Sequence, residues 1–242
     1  MEKSVADIWR EVDEALKEKP NDIGKLYERL IACITHPETI TDWHEYAHLD
    51  KFKHTRNLVH LDLKFPKSSD RCDPKSVIND DDECTISSLS SDVSHDGDFA
   101  CNFTLNLPFQ LVVMGWSPGQ SSLIHDHAGS ECCMRVLAGE LLEERFDVFE
   151  GKTGKADDDL KADELQVKLT EKLKLLENQS SVISNRIGWH RISNAGPNPA
   201  FSIHLYYPPI GHYRVICPTR KKKIVVASCV FHSINGQIIK EF

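Results

Sequence analysis

The sequence predicts a mainly β fold, a jelly-roll barrel that is preceded by α-helices. From Asn102 onward, about ten short segments, apolar or alternating between apolar and polar residues, are separated by turn residues, which is typical of a double-stranded jelly roll or barrel. Nearer the N-terminus, apolar residues recur instead at the spacing of amphipathic helices. A chain of 242 residues suits one domain with extensions and can bury a sizeable core.

Three helices are expected before the β region, where their apolar faces would cover one end or face of the barrel. Residues 4–19 carry apolar residues at helical spacing, and Ser4 is a candidate N-cap. After a proline that ends this helix, Asp22 begins a second one. A third, short helix is expected to run through Trp43 and Tyr46.

The strand predictions follow apolar runs and period-two alternation. Residues 135–146 are interrupted by Gly139, which predicts a hairpin. The charged stretch 150–180 has leucines that fit either a helix or a strand. The remaining expected strands are 103–105, 109–114, 181–194, 200–207, 215–217 and 224–231.

Composition divides the chain into residues 1–60 with the helices, an insertion at 61–100, and a β-barrel core at 101–242. Within the insertion, residues 66–100 contain nine acidic residues, three basic residues and eight serines. Large apolar residues are scarce there, so burial cannot offset the entropy lost on ordering, and we expect a disordered surface insertion. A tolerated insertion is favoured over a partner-binding or phosphorylated segment.

Charge and cysteine usage narrow the function classes. The net charge of −8 and the pI of about 5.8 argue against a nucleic-acid or anionic-membrane surface. We find neither an apolar run that could span a membrane nor a secretory signal. The eight cysteines are therefore expected to be reduced, in a cytoplasmic protein. A basic run at 220–223 is interpreted as a solvated hairpin end.

A histidine pair indicates a metal site. His125 and His127 are two residues apart, so on a strand both imidazoles would face one cavity, and Gly119 and Gly139 bracket the pair as turn residues. A third histidine, His190, lies in the segment GWHRISN. Imidazole is a common metal ligand, and three histidines leave coordination positions open, as a catalytic metal requires. The prediction is a mononuclear site, although a His-x-His pair by itself is a modest signal.

Together these two histidine motifs resemble those of the cupin superfamily. Further segments resemble the eukaryotic cysteine dioxygenases in order and approximate spacing. They are residues 43–47 (WHEYA), 55–59 (TRNLV), 121–127 (SSLIHDH), 188–191 (GWHR) and 202–209 (SIHLYYPP). The resemblance extends from about Trp43 to Phe231 and is interrupted by the acidic insertion.

The resemblance implies a cupin double-stranded β-helix with N-terminal helices and a non-haem Fe(II) centre, one iron per chain. It implies that His125, His127 and His190 bind the iron and that Arg56 binds the substrate carboxylate, for which a guanidinium is suited by its two parallel hydrogen bonds. The reaction implied is oxidation of L-cysteine by O2 to cysteine sulfinic acid, in cysteine catabolism towards taurine and sulfate. L-Cysteine and O2 are thus the expected partners of a chain that we expect to be monomeric.

Four further residues acquire roles through the resemblance. Ser202, His204 and Tyr206 alternate on a predicted strand and therefore face one side, where the family uses a hydrogen-bonded relay that ends at the tyrosine hydroxyl. Cys132 is implied to form a thioether with Tyr206. Glu131 is a competitor for the inward position, but its spacing to Gly139 is one residue off, and neighbouring strand residues face opposite sides.

Two other functions remain open at this point. A related thiol dioxygenase that acts on 3-mercaptopropionate would use the same carboxylate-binding Arg56. A non-catalytic cupin that binds a metal or a small ligand would need the histidines but not the Ser202, His204 and Tyr206 relay, so the relay disfavours it.

Overall fold

The computed structural model of the protein describes residues 2–18, 22–36, 38–61, 107–149, 165–217 and 223–239. The predicted acidic insertion at 66–100, the predicted strand at 103–105 and the basic residues 220–222 lie outside the described residues. Within the described ranges, neither helix has the length and apolar character that would let it cross a membrane.

Two α-helices begin where the sequence predicts. Helix α1 spans Val5–Lys17, and Ser4 caps it in a capping box, with the Asp7 amide donating to the Ser4 hydroxyl at 3.0 Å. Helix α2 spans Ile23–Thr35, and the Asp22 carboxylate accepts from the Gly24 amide at 2.9 Å. The expected third helix is one 3₁₀ turn at Trp43–Glu45.

The β elements of the described residues include the predicted strands from residue 109 onward, with 181–194 divided into two, and also strands near both chain ends and around Arg56 that the sequence did not predict. They are β1 (Glu2–Lys3), β2 (Thr39–Ile40), β3 (Thr55–Val59), β4 (Gln110–Trp116), β5 (Glu131–Ala138), β6 (Glu140–Phe149), β7 (Gln166–Leu176), β8 (Ser180–Ile183), β9 (Trp189–Ser193), β10 (Ala200–Tyr207), β11 (His212–Cys217), β12 (Lys223–Ser228), β13 (Ser233–Ile234) and β14 (Gln237–Ile238).

Two sheets enclose the interior core. The larger has the order β14-β13-β3-β4-β10-β5-β8, and the second contains β7-β6-β9 together with the hairpin β11-β12. Apolar residues of both sheets, such as Met114 and Val136 from one and Leu141 and Val215 from the other, share one buried cluster. The apolar faces of α1 and α2 pack on the outer side of the larger sheet. The mainly β, jelly-roll prediction is confirmed, with the helices covering a face.

Two local predictions, the hairpin at Gly139 and the charged stretch that fitted either a helix or a strand, have different outcomes in the structure. The hairpin predicted at Gly139 is wrong, because β5 pairs with β10 and β8 whereas β6 pairs with β7 and β9. Gly139, at φ +76°, instead carries the chain from one sheet to the other, and a Cβ there would lie 2.9 Å from the Pro199 carbonyl oxygen. Leu169, Leu173 and Leu176 of the charged stretch belong to strand β7, which pairs with β6 along its length, whereas Leu165 precedes the strand.

Candidate metal centre and substrate cavity

Long-range backbone pairing brings the three predicted histidines together. The His125 amide donates to the His190 carbonyl at 2.9 Å, and the His190 amide donates back at 3.0 Å. His125 also forms a bridge with Val215, so this one residue joins β9 to β11. The expectation that His125 and His127 lie on one strand is wrong: His127 lies in the loop before β5, where its amide donates to Asn185 Oδ1 at 2.9 Å.

The histidine side chains form a compact buried cluster. Their candidate ligand nitrogens all lie within 4.8 Å of one another. The Nε2 atoms of His125 and His190 are 3.2 Å apart, and all three residues are buried. Neither ring nitrogen of His127 has a hydrogen-bond partner among the described residues, although both are shielded from solvent. A buried polar nitrogen without a partner is costly, and a bound metal would satisfy it.

Burial keeps the imidazoles of His127 and His190 in the form that binds a metal. Desolvation, followed by the neighbouring histidines, holds the pKa of His127 well below its usual value. The same causes, with His125 the first of the neighbours, lower the pKa of His190. Both rings are therefore neutral at physiological pH and have a lone pair available for a metal.

Hydrogen bonds to the other ring nitrogen orient two of the histidines. His190 Nδ1 lies 2.9 Å from Glu143 Oε1, and the Glu143 side chain is fully buried. His125 Nδ1 lies 2.8 Å from the Leu123 carbonyl oxygen. Because carboxylates and carbonyl oxygens accept, each Nδ1 carries the proton and each Nε2 lone pair points into the cluster. Three converging imidazole nitrogens fit a divalent transition metal.

Arg56 lies beside this cluster. It is buried in β3, and it lines one cavity together with His125, His127 and Tyr206. Its guanidinium carbon is 5.1 Å from the centre of the Tyr213 ring, a cation–π contact. The structure thus brings a buried positive charge and the histidine cluster into the same cavity.

The predicted relay residues share one face of β10 and form contacts in order. Trp116 Nε1 donates to Ser202 Oγ at 3.0 Å, and Ser202 Oγ lies 2.8 Å from His204 Nε2. The rings of His204 and Tyr206 are nearly parallel, at 11°, with centroids 6.1 Å apart. Burial, followed by the charge of Arg56, lowers the pKa of His204 to about 3, so this ring is neutral.

Strand register decides which residue of the 131–133 segment points inward. Cys132 is directly opposite Tyr206 in the β5–β10 ladder, and both belong to the interior core. Cys133 belongs to the outer cluster beneath the helices. Glu131 points away and accepts from Arg186 at 2.7 Å. Burial is the main cause that raises the pKa of both the Cys132 thiol and the Tyr206 phenol, so both keep their protons at neutral pH.

Some site residues were not found from the sequence. Glu143 and Tyr213 contact the histidine cluster, and Asn185 anchors the His127 backbone. Glu143 left one detectable signal, because it follows Leu141 at the inward-facing period of β6, where a carboxylate needs a partner. Tyr213 and Asn185 are brought in by pairing with distant segments and left no comparable pattern.

Comparison with known proteins shows what the chain is similar to. The family model described as cysteine dioxygenase type I matches residues 104–216. Cysteine dioxygenase type 1 of Rattus norvegicus is 28% identical over 208 residues, which are 86% of this chain and 76% of the relative. The Homo sapiens protein of the same name is 31% identical over 170 residues, which are 70% of this chain and 58% of that relative. Over these residues the chain is similar to the cysteine dioxygenases of type I.

These relatives are named as dioxygenases, and the buried histidine cluster of this chain supports a bound metal. Among solved structures, an uncharacterized double-stranded β-helix protein from Klebsiella pneumoniae aligns over 78% of this chain and 97% of its own, with 14% identity and a TM-score of 0.35. At that similarity it carries no argument about the site.

Proposed function

We propose that this protein is a non-haem iron dioxygenase that oxidises the thiol of L-cysteine to a sulfinate with O2. The observation that carries the proposal is the shared cavity, in which Arg56 and Tyr206 face the same space as His125 and His127. A small substrate with an anionic group at one end and a metal-binding group at the other matches these two ends. L-Cysteine has both, with its carboxylate for Arg56 and its thiolate for the metal.

Each chain residue has a defined task in this proposal. Arg56 binds the carboxylate through charge-assisted hydrogen bonds and so sets the orientation of the thiol. His125, His127 and His190 would hold the iron, whose chemistry when bound is the activation of O2 towards sulfur. Tyr206 keeps its proton, because burial raises the pKa of its phenol, and can donate a hydrogen bond to the reacting groups.

The reaction balances without an external reductant. A thiolate takes up both atoms of O2 and becomes a sulfinate, so sulfur loses the four electrons that the two oxygen atoms gain. The reaction therefore needs no co-substrate beside the thiol and O2. The chain's own residues have to bind the substrate, orient it and donate hydrogen bonds to it. Neutral His204, in contact with Ser202 at 2.8 Å, supports the position of Tyr206 at the end of the relay.

The thioether between Cys132 and Tyr206 is part of the proposal. Its support is that the two residues are opposite each other in the ladder and belong to the same buried cluster. Bond formation joins Sγ to a ring carbon and removes one hydrogen from each, and O2 accepts the two electrons and two protons. The bond would remove rotamer freedom from the ring and fix the phenol towards the cavity.

An oxygen-electrode assay with identified products tests the function. The iron-loaded protein should consume O2 with L-cysteine and form the sulfinate, and with cysteamine, which lacks a carboxylate, it should be much slower. Preference for 3-mercaptopropionate over cysteine would move the assignment to that thiol. No O2 uptake with any of the three thiols, at one iron per chain, would favour the non-catalytic cupin. The variant His190→Ala should lose both iron and turnover.

The cytoplasmic location, the monomeric state and the division at 1–60, 61–100 and 101–242 also remain proposals. Cell fractionation tests the first of them, and light scattering at micromolar concentration tests the second. Limited proteolysis tests the division, because cleavage confined to 61–100 with retained iron would support an insertion in a single domain.

A further inference from the structure

Tyr213 lines the cavity but has no role in the proposed reaction as described above. It lies on β11, where Tyr213 and Val215 are buried and the intervening Arg214 is exposed, so the phenol ring faces the interior. Together with Ile210 and Cys229 it completes the lining of the cavity that contains Arg56 and the histidines. The hairpin partner of Tyr213 is Ala227 on β12, which leaves the ring no bulky neighbour across the ladder.

The Tyr213 ring contacts both ends of this cavity. Its centroid lies 5.6 Å from that of the His125 ring, in an edge-to-face arrangement of 63°. On the other side, the Arg56 guanidinium carbon is 5.1 Å from the same centroid. One rigid side chain therefore forms the wall that extends from the metal ligands to the positive charge.

This arrangement limits the length of the substrate between its thiol and its carboxylate. A substrate that extends from the histidine cluster to Arg56 must fit beside the Tyr213 ring, which contacts both His125 and Arg56. Strand β11, which carries Tyr213, is held to the histidine cluster through the His125–Val215 bridge. The strand therefore cannot retreat without breaking the second sheet at His125. Cysteine has two carbons between its sulfur and its carboxylate carbon, whereas homocysteine has three.

We propose that Tyr213 is a specificity-determining residue that limits the substrate to thiol carboxylates with two carbons between sulfur and carboxylate. This inference rests on the proposed function, because it assumes that Arg56 binds the carboxylate and that the histidine cluster orients the thiol. The aromatic ring carries the effect, since the ring is the group in contact with both His125 and Arg56.

The test compares L-cysteine with L-homocysteine in the iron-loaded protein. Both kcat/KM and, under argon, the calorimetric Kd should be measured for each thiol. In Tyr213→Ala, the preference for cysteine should fall by about tenfold or more, because one methylene in a closed pocket is worth about 10–200-fold. Tyr213→Phe keeps the ring and should keep the preference. A ring with a packing role only would lower kcat/KM for both thiols equally and leave their ratio unchanged.

Tyr207→Ala is the matched control. Tyr207 is the neighbour of Tyr206 on β10, but it packs against the outer cluster beneath the helices. There its ring centroid is 5.9 Å from that of Tyr27. The same truncation there should leave the ratio of the two thiols unchanged. If the unmodified protein prefers cysteine and Tyr213→Ala preserves that preference within twofold by both measurements, the inference is wrong and the proposed function stands. If the unmodified protein neither binds nor oxidises cysteine, both fail.

Discussion

Replacing Glu143 with glutamine should weaken metal binding without unfolding the protein. The carboxylate accepts on both oxygens: Oε1 lies 2.9 Å from His190 Nδ1, and Oε2 accepts from the Ser181 hydroxyl and, at 3.4 Å, from Arg145. An amide has one acceptor oxygen, so Glu143→Gln must turn its NH2 group towards donors on one side or the other. One buried hydrogen bond is lost in either orientation.

The size of the effect follows from the bond that is lost. The Glu143 side chain is fully buried, and a hydrogen bond to a charged group contributes about 1.5–3 kcal/mol. If the loss falls on His190, that energy corresponds to a Kd for the metal that is about 10–150 times larger. This agrees with the roughly 10–100-fold cost in affinity or activity that is typical when the hydrogen-bond partner of a metal-binding histidine is removed.

Anaerobic titration calorimetry with Fe(II), or with Co(II) as a stable substitute, measures this Kd directly. Glu144→Gln is the control, because Glu144 is adjacent on β6 but pairs outward with Arg191 and with Lys172 at 2.9 Å. It should leave the Kd unchanged. Equal metal affinity in Glu143→Gln and Glu144→Gln, with both variants folded by thermal melting, would refute the role given to Glu143.

Three further predictions address the substrate, the crosslink and pH. Arg56→Ala should raise the KM for cysteine by about tenfold or more, as expected when a charge-assisted bond of about 1.5–3 kcal/mol is lost, and oxidation of cysteamine should change little; an equal loss for both thiols would contradict carboxylate binding. The thioether should appear as a faster-migrating gel band with a mass loss of two hydrogens. Cys132→Ser should abolish both signatures, whereas Cys133→Ser should retain them; the reverse pattern would mean that the strand register is wrong. The pKa of His204 is lowered to about 3, below its value in the unfolded chain. Neutral His204 therefore contributes to the free energy of unfolding above about pH 6.5. This contribution is lost as the pH falls towards 3, by about 1.4 kcal/mol per pH unit. Urea unfolding of metal-free protein between pH 4.5 and 6.5 should show a shallower pH slope in His204→Gln, and an unchanged slope would contradict this.

Local sequence patterns were sufficient for the elements whose signals are local. The caps Ser4 and Asp22 mark both helix starts because capping involves residues two or three positions away. Period-two alternation placed Ser202, His204 and Tyr206 on one face, since strand geometry fixes that relation regardless of the partner strand. The same alternation allowed only one of Glu131 and Cys132 to face the interior, and the resemblance and the spacing to Gly139 favoured Cys132.

Pairing between distant segments, in contrast, was decided only in the tertiary structure. Gly139 has the same appearance in a sequence whether the flanking strands pair with each other or belong to separate sheets, and here they are separate. The leucines of β7 fit a helix as well as a strand until β6 provides a hydrogen-bonding partner.

The site shows the same division of information. The sequence by itself indicated a metal site through the types and spacing of its histidines, and its resemblance to the cysteine dioxygenases implied that Arg56 binds a carboxylate. The tertiary structure decided their convergence, through the bridges that join His125 to His190 and to Val215, and it added Glu143 and Tyr213 to the cavity. The residues in these contacts are 47 (190 − 143) to 90 (215 − 125) positions apart in the sequence, so no local sequence pattern could predict the contacts. Their physical basis is the packing of two sheets around one core, which only the folded chain brings into existence.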